Sequence, residues 1–225
     1  MSVHDFKTPK QPFLNVEYQA PFWLAAILVA CYGIFVVVPD ALKNSIWFNF
    51  ALIAEQGHVL LADRPLRGVY TLLTHVLTHG GWSHVLVNAG LIVAFGVITM
   101  RGMRNPQKAT TLFLGIFCLG AIGGGLGQWL VWVLTGSTGI AVGASTGGMA
   151  LFATTAWALG GRSRVFAFFA VMVAFDAIGI YMGKQNFASL TANPAWAGHM
   201  GGFLVGAILA RFWVRPSSTG IQIIG

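Results

Sequence analysis

Apolar runs of membrane-spanning length dominate this sequence, and no other feature narrows its possible folds as far. A hydrocarbon core takes about 20 apolar residues per helix. Six segments meet that requirement: 21–38, 83–100, 110–134, 140–159, 164–183 and 195–214. Charged residues make up 8% of the 225-residue chain, against about 25% in an ordinary soluble domain. The pattern predicts an all-α membrane protein of six transmembrane helices. Residues 1–20 read as a cytoplasmic N-terminal segment, 21–214 as one six-helix domain and 215–225 as a cytoplasmic tail, disordered from Pro216. The run from Phe22 to Val38 lacks a small-residue cleavage pattern and reads as a retained membrane helix. Ile46 to Leu61 is broken by Asn49, Glu55, Gln56 and His58, so short interfacial helices are expected there. Cys31 and Cys118 both sit inside apolar runs, which argues against a disulfide framework.

The basic residues set the orientation. With both termini inside, Lys7, Lys10, Arg101, Arg104, Lys108, Arg162, Arg164, Arg211 and Arg215 face the cytoplasm, nine of the 13. Lys43, Arg64, Arg67 and Lys184 remain outside. The positive-inside rule favours that arrangement. It also accounts for the net charge of +7 through the anionic cytoplasmic leaflet, so membrane lipids are expected partners and nucleic acid is not.

Polar residues inside spans are costly and default to functional candidates. With the fourth helix entering from outside near Gly139 and Ile140, Ser145 falls about five residues in, roughly 8 Å below the helix start. Asn193 as N-cap and Pro194 at the first helical position would start the sixth helix, which puts His199 about five residues in as well. The second helix, with Ser83 as a possible cap, carries His84 at its mouth and Asn88 four residues deeper on the same face. A serine, two histidines and an amide at one level fit the logic of covalent acyl transfer. Gly143, Ala144, Gly147 and Gly148 flank the serine, while Gly198, Gly201, Gly202 and Gly206 flank His199. Small residues at this spacing let helix backbones approach closely. Glycines alone would only pack helices; beside two polar residues at matched depth they favour a site.

These motifs resemble the rhomboid family of intramembrane serine proteases. Gly143-Ala144-Ser145 with Thr146-Gly147 is similar to its nucleophile motif, and Gly198-His199-Met200-Gly201-Gly202 to its base motif. His79, His84 and Asn88 stand at the spacing of its second-helix signature. The resemblance implies a rhomboid-like bundle in which Ser145 is the nucleophile and His199 the base, a dyad without an acidic member. It further implies an oxyanion hole of His84, Asn88 and the Ser145 N–H, a close substrate approach at Gly143, and a structural role for His79. Transmembrane protein substrates would be cut near the outer surface of a membrane, in a bacterial cell the inner one. A catalytically weak or inactive membrane-protein-binding module is the alternative.

The departures from the family are local. Thr146 stands where glycine is preferred, and Met149 where an aromatic often stacks on the catalytic histidine. Tyr70-Thr71 occupy the offset of a Trp-Arg pair. His75 and His79 have a metal-compatible i, i+4 spacing, but no Cys or carboxylate lies near them in sequence, so no metal and no cofactor is expected. Asp176 in the fifth helix reads as a packed, protonated or hydrogen-bonded acid outside the site. Lys184 to Asn193 would lie above the site as a cap on substrate entry.

Overall fold

A computed structural model describes residues 18–54, 65–184 and 195–217. The chain runs α1 (Ala20–Val37), α2 (Asp40–Phe50), β1 (Leu52–Ala54), α3 (Pro65–Thr74), α4 (Trp82–Arg101), α5 (Ala109–Thr135), β2 (Gly139–Ala141), α6 (Ser145–Lys184) and α7 (Trp196–Trp213). Among the described residues, four helical stretches are long and apolar enough to cross a membrane: Ala20–Val37, Trp82–Arg101, Pro106–Thr135 and Ser145–Tyr181. Their outer faces carry bare apolar side chains such as Trp23, Leu86, Leu130 and Phe166, a surface suited to lipid and not to water. In α7 the glycines, His199 and Arg211 dilute the apolar character, which keeps it out of those four.

Helix α6 is two limbs joined at a sharp break. Gly160 and Gly161 leave helical geometry, and Gly161 takes φ +67°, a left-handed value that glycine adopts without a Cβ clash. The second limb folds back on the first: the Phe152 and Phe168 rings meet at a tilt of 37° with centroids 4.6 Å apart. The expected spans 140–159 and 164–183 are these limbs, except that the first begins five residues late. Gly139–Ala141 is not helical, because it pairs antiparallel with Leu52–Ala54. Of the stretch from Ile46 to Leu61 expected to form short helices, α2 covers the part to Phe50, Leu52–Ala54 is a strand instead, and residues 55–61 lie outside the described residues. The described residues are therefore mostly helical, with one two-stranded ribbon.

Glycines let α7 wedge between α5 and the first limb of α6. A Cβ on Gly201 would strike the Gly123 carbonyl, and one on Gly127 would lie 2.7 Å from the Ala197 carbonyl. On the other face, Cβ atoms at Gly202 and Gly206 would run into the Thr146 and Ala150 carbonyls. Backbones meet directly on both sides. Such contact supplies dispersion and tight geometry where lipid removes the hydrophobic drive between helices. Elsewhere the core is conventional: Leu28, Ile92, Phe113 and Ile116 are fully buried between α1, α4 and α5. Beyond α7, the Ser217 N–H donates to the Ala158 carbonyl at 2.9 Å, so the tail is tied down at least that far.

Candidate active site

Ser145 opens α6 and does not lie five residues inside it. The Ala144 carbonyl accepts from the Gly148 N–H at 2.9 Å, which makes Ala144 the cap and Ser145 the first helical residue. His199 sits one turn into α7. The Asn193–Pro194 start assigned to that helix lies outside the described residues; Ala195 holds the cap position without a side-chain bond. The buried Gln128 of α5 accepts the Gly198 N–H at 3.3 Å and satisfies one of the open donors there. Sequence reasoning missed this glutamine, a polar residue inside an apolar helix that could have been flagged. At the start of α4 the cap position belongs to Gly81, not Ser83.

The two candidate reacting groups meet. His199 Nε2 lies 3.0 Å from Ser145 Oγ. The other ring nitrogen, Nδ1, lies 2.7 Å from Asp176 Oδ1. Asp176 and His199 are both buried, 5% and 8% exposed. The expectation that Asp176 stays outside the site is corrected, because the fold-back of α6 returns it to the level of Ser145. Met149, where a stacking aromatic was considered, packs instead against the cluster of Ala153, Met172 and Phe203.

His84 and Asn88 reach the same place from α4. Gly143 has φ +104°, and a Cβ there would fall 2.6 Å from His84 Cε1 and 3.2 Å from Asn88 Nδ2. This glycine is thus needed first for the approach of the protein's own imidazole and amide. Asn88 Nδ2 is buried and has no hydrogen-bond partner among the described residues. A buried, unspent amide donor beside a serine is an asset where negative charge develops. Gly143→Ala is expected to cost about 1–2 kcal/mol in left-handed backbone strain and to displace His84. Activity should fall about 100-fold, as for a 1 Å misplacement, while circular dichroism stays helical.

Two further histidines hold the serine's loop. His75 is buried, with Nδ1 3.0 Å from the Thr71 carbonyl and Nε2 3.0 Å from Thr146 Oγ1. A carbonyl only accepts, so Nδ1 carries the proton and Nε2 accepts from the threonine hydroxyl. The His75 carbonyl takes the Gly143 N–H at 3.0 Å, and His79 Nε2 takes the Ala144 N–H at 3.3 Å. Thr146 is therefore a tether to α3 and the turn that follows it. Nearby, Arg67 donates to the Phe48 carbonyl at 2.6 Å and lies over the Phe48 ring, an aromatic–arginine contact that the Tyr70–Thr71 offset did not reveal.

Burial pushes the His75 ring down to about 4 from its ordinary 6.5, and burial with the nearby His84 pushes His79 down to about 3. Both rings stay neutral in the folded chain at neutral pH. Below pH 6.5 the unfolded chain takes up protons that the folded one refuses, so stability is full above that pH. It is then lost as pH falls toward 4, by about 3 kcal/mol for His75. The thermal midpoint in detergent should fall across that window, and His75→Gln should flatten the slope.

No cluster of three His, Cys, Asp or Glu side chains with metal-binding geometry occurs among the described residues. Residues 66–216 match the Rhomboid domain family. Uncharacterised proteins of Mycobacterium tuberculosis and Mycobacterium bovis are each 26% identical over 165 residues, 68% of this chain. The aligned part spans 63% of the length of those relatives. The chain belongs to the rhomboid family, and family and apolar helices together make it an integral membrane protein.

Proposed function

We propose that this chain is an intramembrane serine endopeptidase that cuts transmembrane protein segments. The observation that carries the reading is the 3.0 Å contact of His199 Nε2 with Ser145 Oγ. A nucleophile within hydrogen-bond reach of its base is the signature of covalent acyl transfer. In this reading α1, α4, α5, both limbs of α6 and α7 are six crossings of one domain, 21–214, with cytoplasmic segments 1–20 and 215–225 on either side. The termini face the cytoplasm, in a bacterial cell across the inner membrane, and the site opens outward.

The substrate helix unwinds near the outer surface, because a carbonyl held in helical hydrogen bonds is shielded from attack. His199 Nε2 takes the Ser145 hydroxyl proton as Oγ bonds to the carbonyl carbon. The oxyanion meets His84, the free Asn88 amide and the Ser145 N–H. Preorganised donors of this kind are each worth about 3 kcal/mol. The C–N bond breaks, the leaving amine takes the proton from Nε2, and water from the outer side repeats the sequence on the acyl-enzyme. Because His199 must start without a proton on Nε2, cleavage falls on acidification. Purified protein in liposomes should cut single-pass reporters close to their outer ends. A reporter panel left whole, or cut only in the cytoplasmic half, would overturn the reading and leave a client-binding membrane module.

A further inference from the structure

We infer that Asp176 is a positioning residue for this reaction: it accepts the Nδ1 proton of His199, fixes the imidazole tautomer and stabilises the imidazolium formed when Ser145 attacks. The inference rests on the protease reading and goes beyond a serine–histidine pair.

Three observations carry it. First, the contact is short and buried, with 2.7 Å between Nδ1 and Oδ1 and little solvent on either side. An ionised acceptor makes such bonds shorter and about twice as strong as neutral ones. Second, His199 has its two nitrogens divided between two partners, Ser145 on Nε2 and Asp176 on Nδ1. To accept the serine proton, Nε2 must be bare, so the ring proton has to sit on Nδ1. Only an acceptor beside Nδ1 favours that tautomer. Third, His199 is the one hydrogen-bond and ion-pair partner of Asp176 among the described residues. A buried carboxylate without a countercharge is costly. The imidazolium supplies that countercharge only once the serine proton has moved, so the pair is worth more in the transition state than before it. Differential stabilisation of this kind raises kcat and leaves substrate binding alone. The proton stays on the ring throughout; none passes to Asp176. Among the described residues His84 on α4 also interacts with His199, and its ring lies against Gly143.

The placement has a simple origin. Ser145 stands fifteen residues before Gly160, and Asp176 fifteen after Gly161. A chain that reverses at those glycines brings the two to one depth.

The test compares Asp176→Asn with the wild-type chain in detergent. The amide keeps the shape but offers N–H to Nδ1, which favours the wrong tautomer. We expect kcat for reporter cleavage to fall by about 100- to 10,000-fold with KM nearly unchanged. Fluorophosphonate labelling of Ser145 should slow in parallel. Nitrogen-15 histidine spectra of the wild-type chain, which need no Asp176 variant to fold, should show a far-downfield proton bound to Nδ1 of His199. A wild-type chain that labels, with Asp176→Asn equally fast and folded, overturns the role of Asp176 alone. So does a ring proton found on Nε2, with Asp176 donating. A wild-type chain that never labels overturns the protease reading and this one with it.

Discussion

Replacing Ser145 with alanine will abolish cleavage of transmembrane reporters, and replacing His199 with alanine will do nearly the same. Members of a nucleophile–base unit are not additive, and loss of either removes almost all of what the unit supplies, about 10,000-fold or more. The serine change should not disturb the fold, whereas His199→Ala leaves the buried Asp176 without its partner and should lower the thermal midpoint. Ser145 is a small side chain at the start of α6, and its truncation leaves the His75–Thr146 and His79–Ala144 bonds in place. The thermal midpoint of the purified Ser145→Ala variant should therefore match the wild type while reporter cleavage drops to background. The double variant should be no slower than either single one. Additive losses would mean that Ser145 and His199 act separately.

The second large effect lies at a residue with no chemistry of its own. A Cβ at Gly202 would run into the Thr146 carbonyl. Backbone cannot swing aside as a flexible side chain can, so Gly202→Val must push α7 away from α6. His199 lies less than one turn from Gly202 on α7, and Ser145 adjoins Thr146 on α6. The 3.0 Å contact between them is held by the very approach the valine blocks. Overpacking of this type costs about 1–3 kcal/mol, and a displacement near 1 Å at the reacting atoms costs about 100-fold in rate. Cleavage and fluorophosphonate labelling should fall together, with a lower thermal midpoint. Gly148→Ala is the control, since a Cβ there meets nothing within 4 Å. It should leave all three measurements unchanged.

Most of the fold was legible because hydropathy is local. The runs 21–38, 83–100, 110–134 and 195–214 match α1, α4, α5 and α7 to within a residue or two. The start of α6 was not, because Gly139–Ala141 is apolar yet pairs with Leu52–Ala54, almost 90 residues earlier. Hydropathy cannot register a hydrogen-bonded partner at that distance. The depth arithmetic thus set Ser145 inside a helix it in fact begins, and still paired it with His199, whose Nε2 lies 3.0 Å from the serine Oγ. Thr146 looked like an intrusion on the nucleophile motif for a related reason: its partner, His75, lies 71 residues away. Asp176 was different. Its signal was present in the spacing about Gly160–Gly161, and only the comparison of its offset with that of Ser145 was missing.

In the proposed reaction His199 activates Ser145 as a nucleophile. The most direct measurement is mass-spectrometric mapping of a fluorophosphonate adduct on the purified chain in detergent. One adduct should form, on Ser145, at neutral pH, slowed on acidification and absent in His199→Ala. An adduct elsewhere, or equal labelling of Ser145 with His199 removed, would contradict that activation.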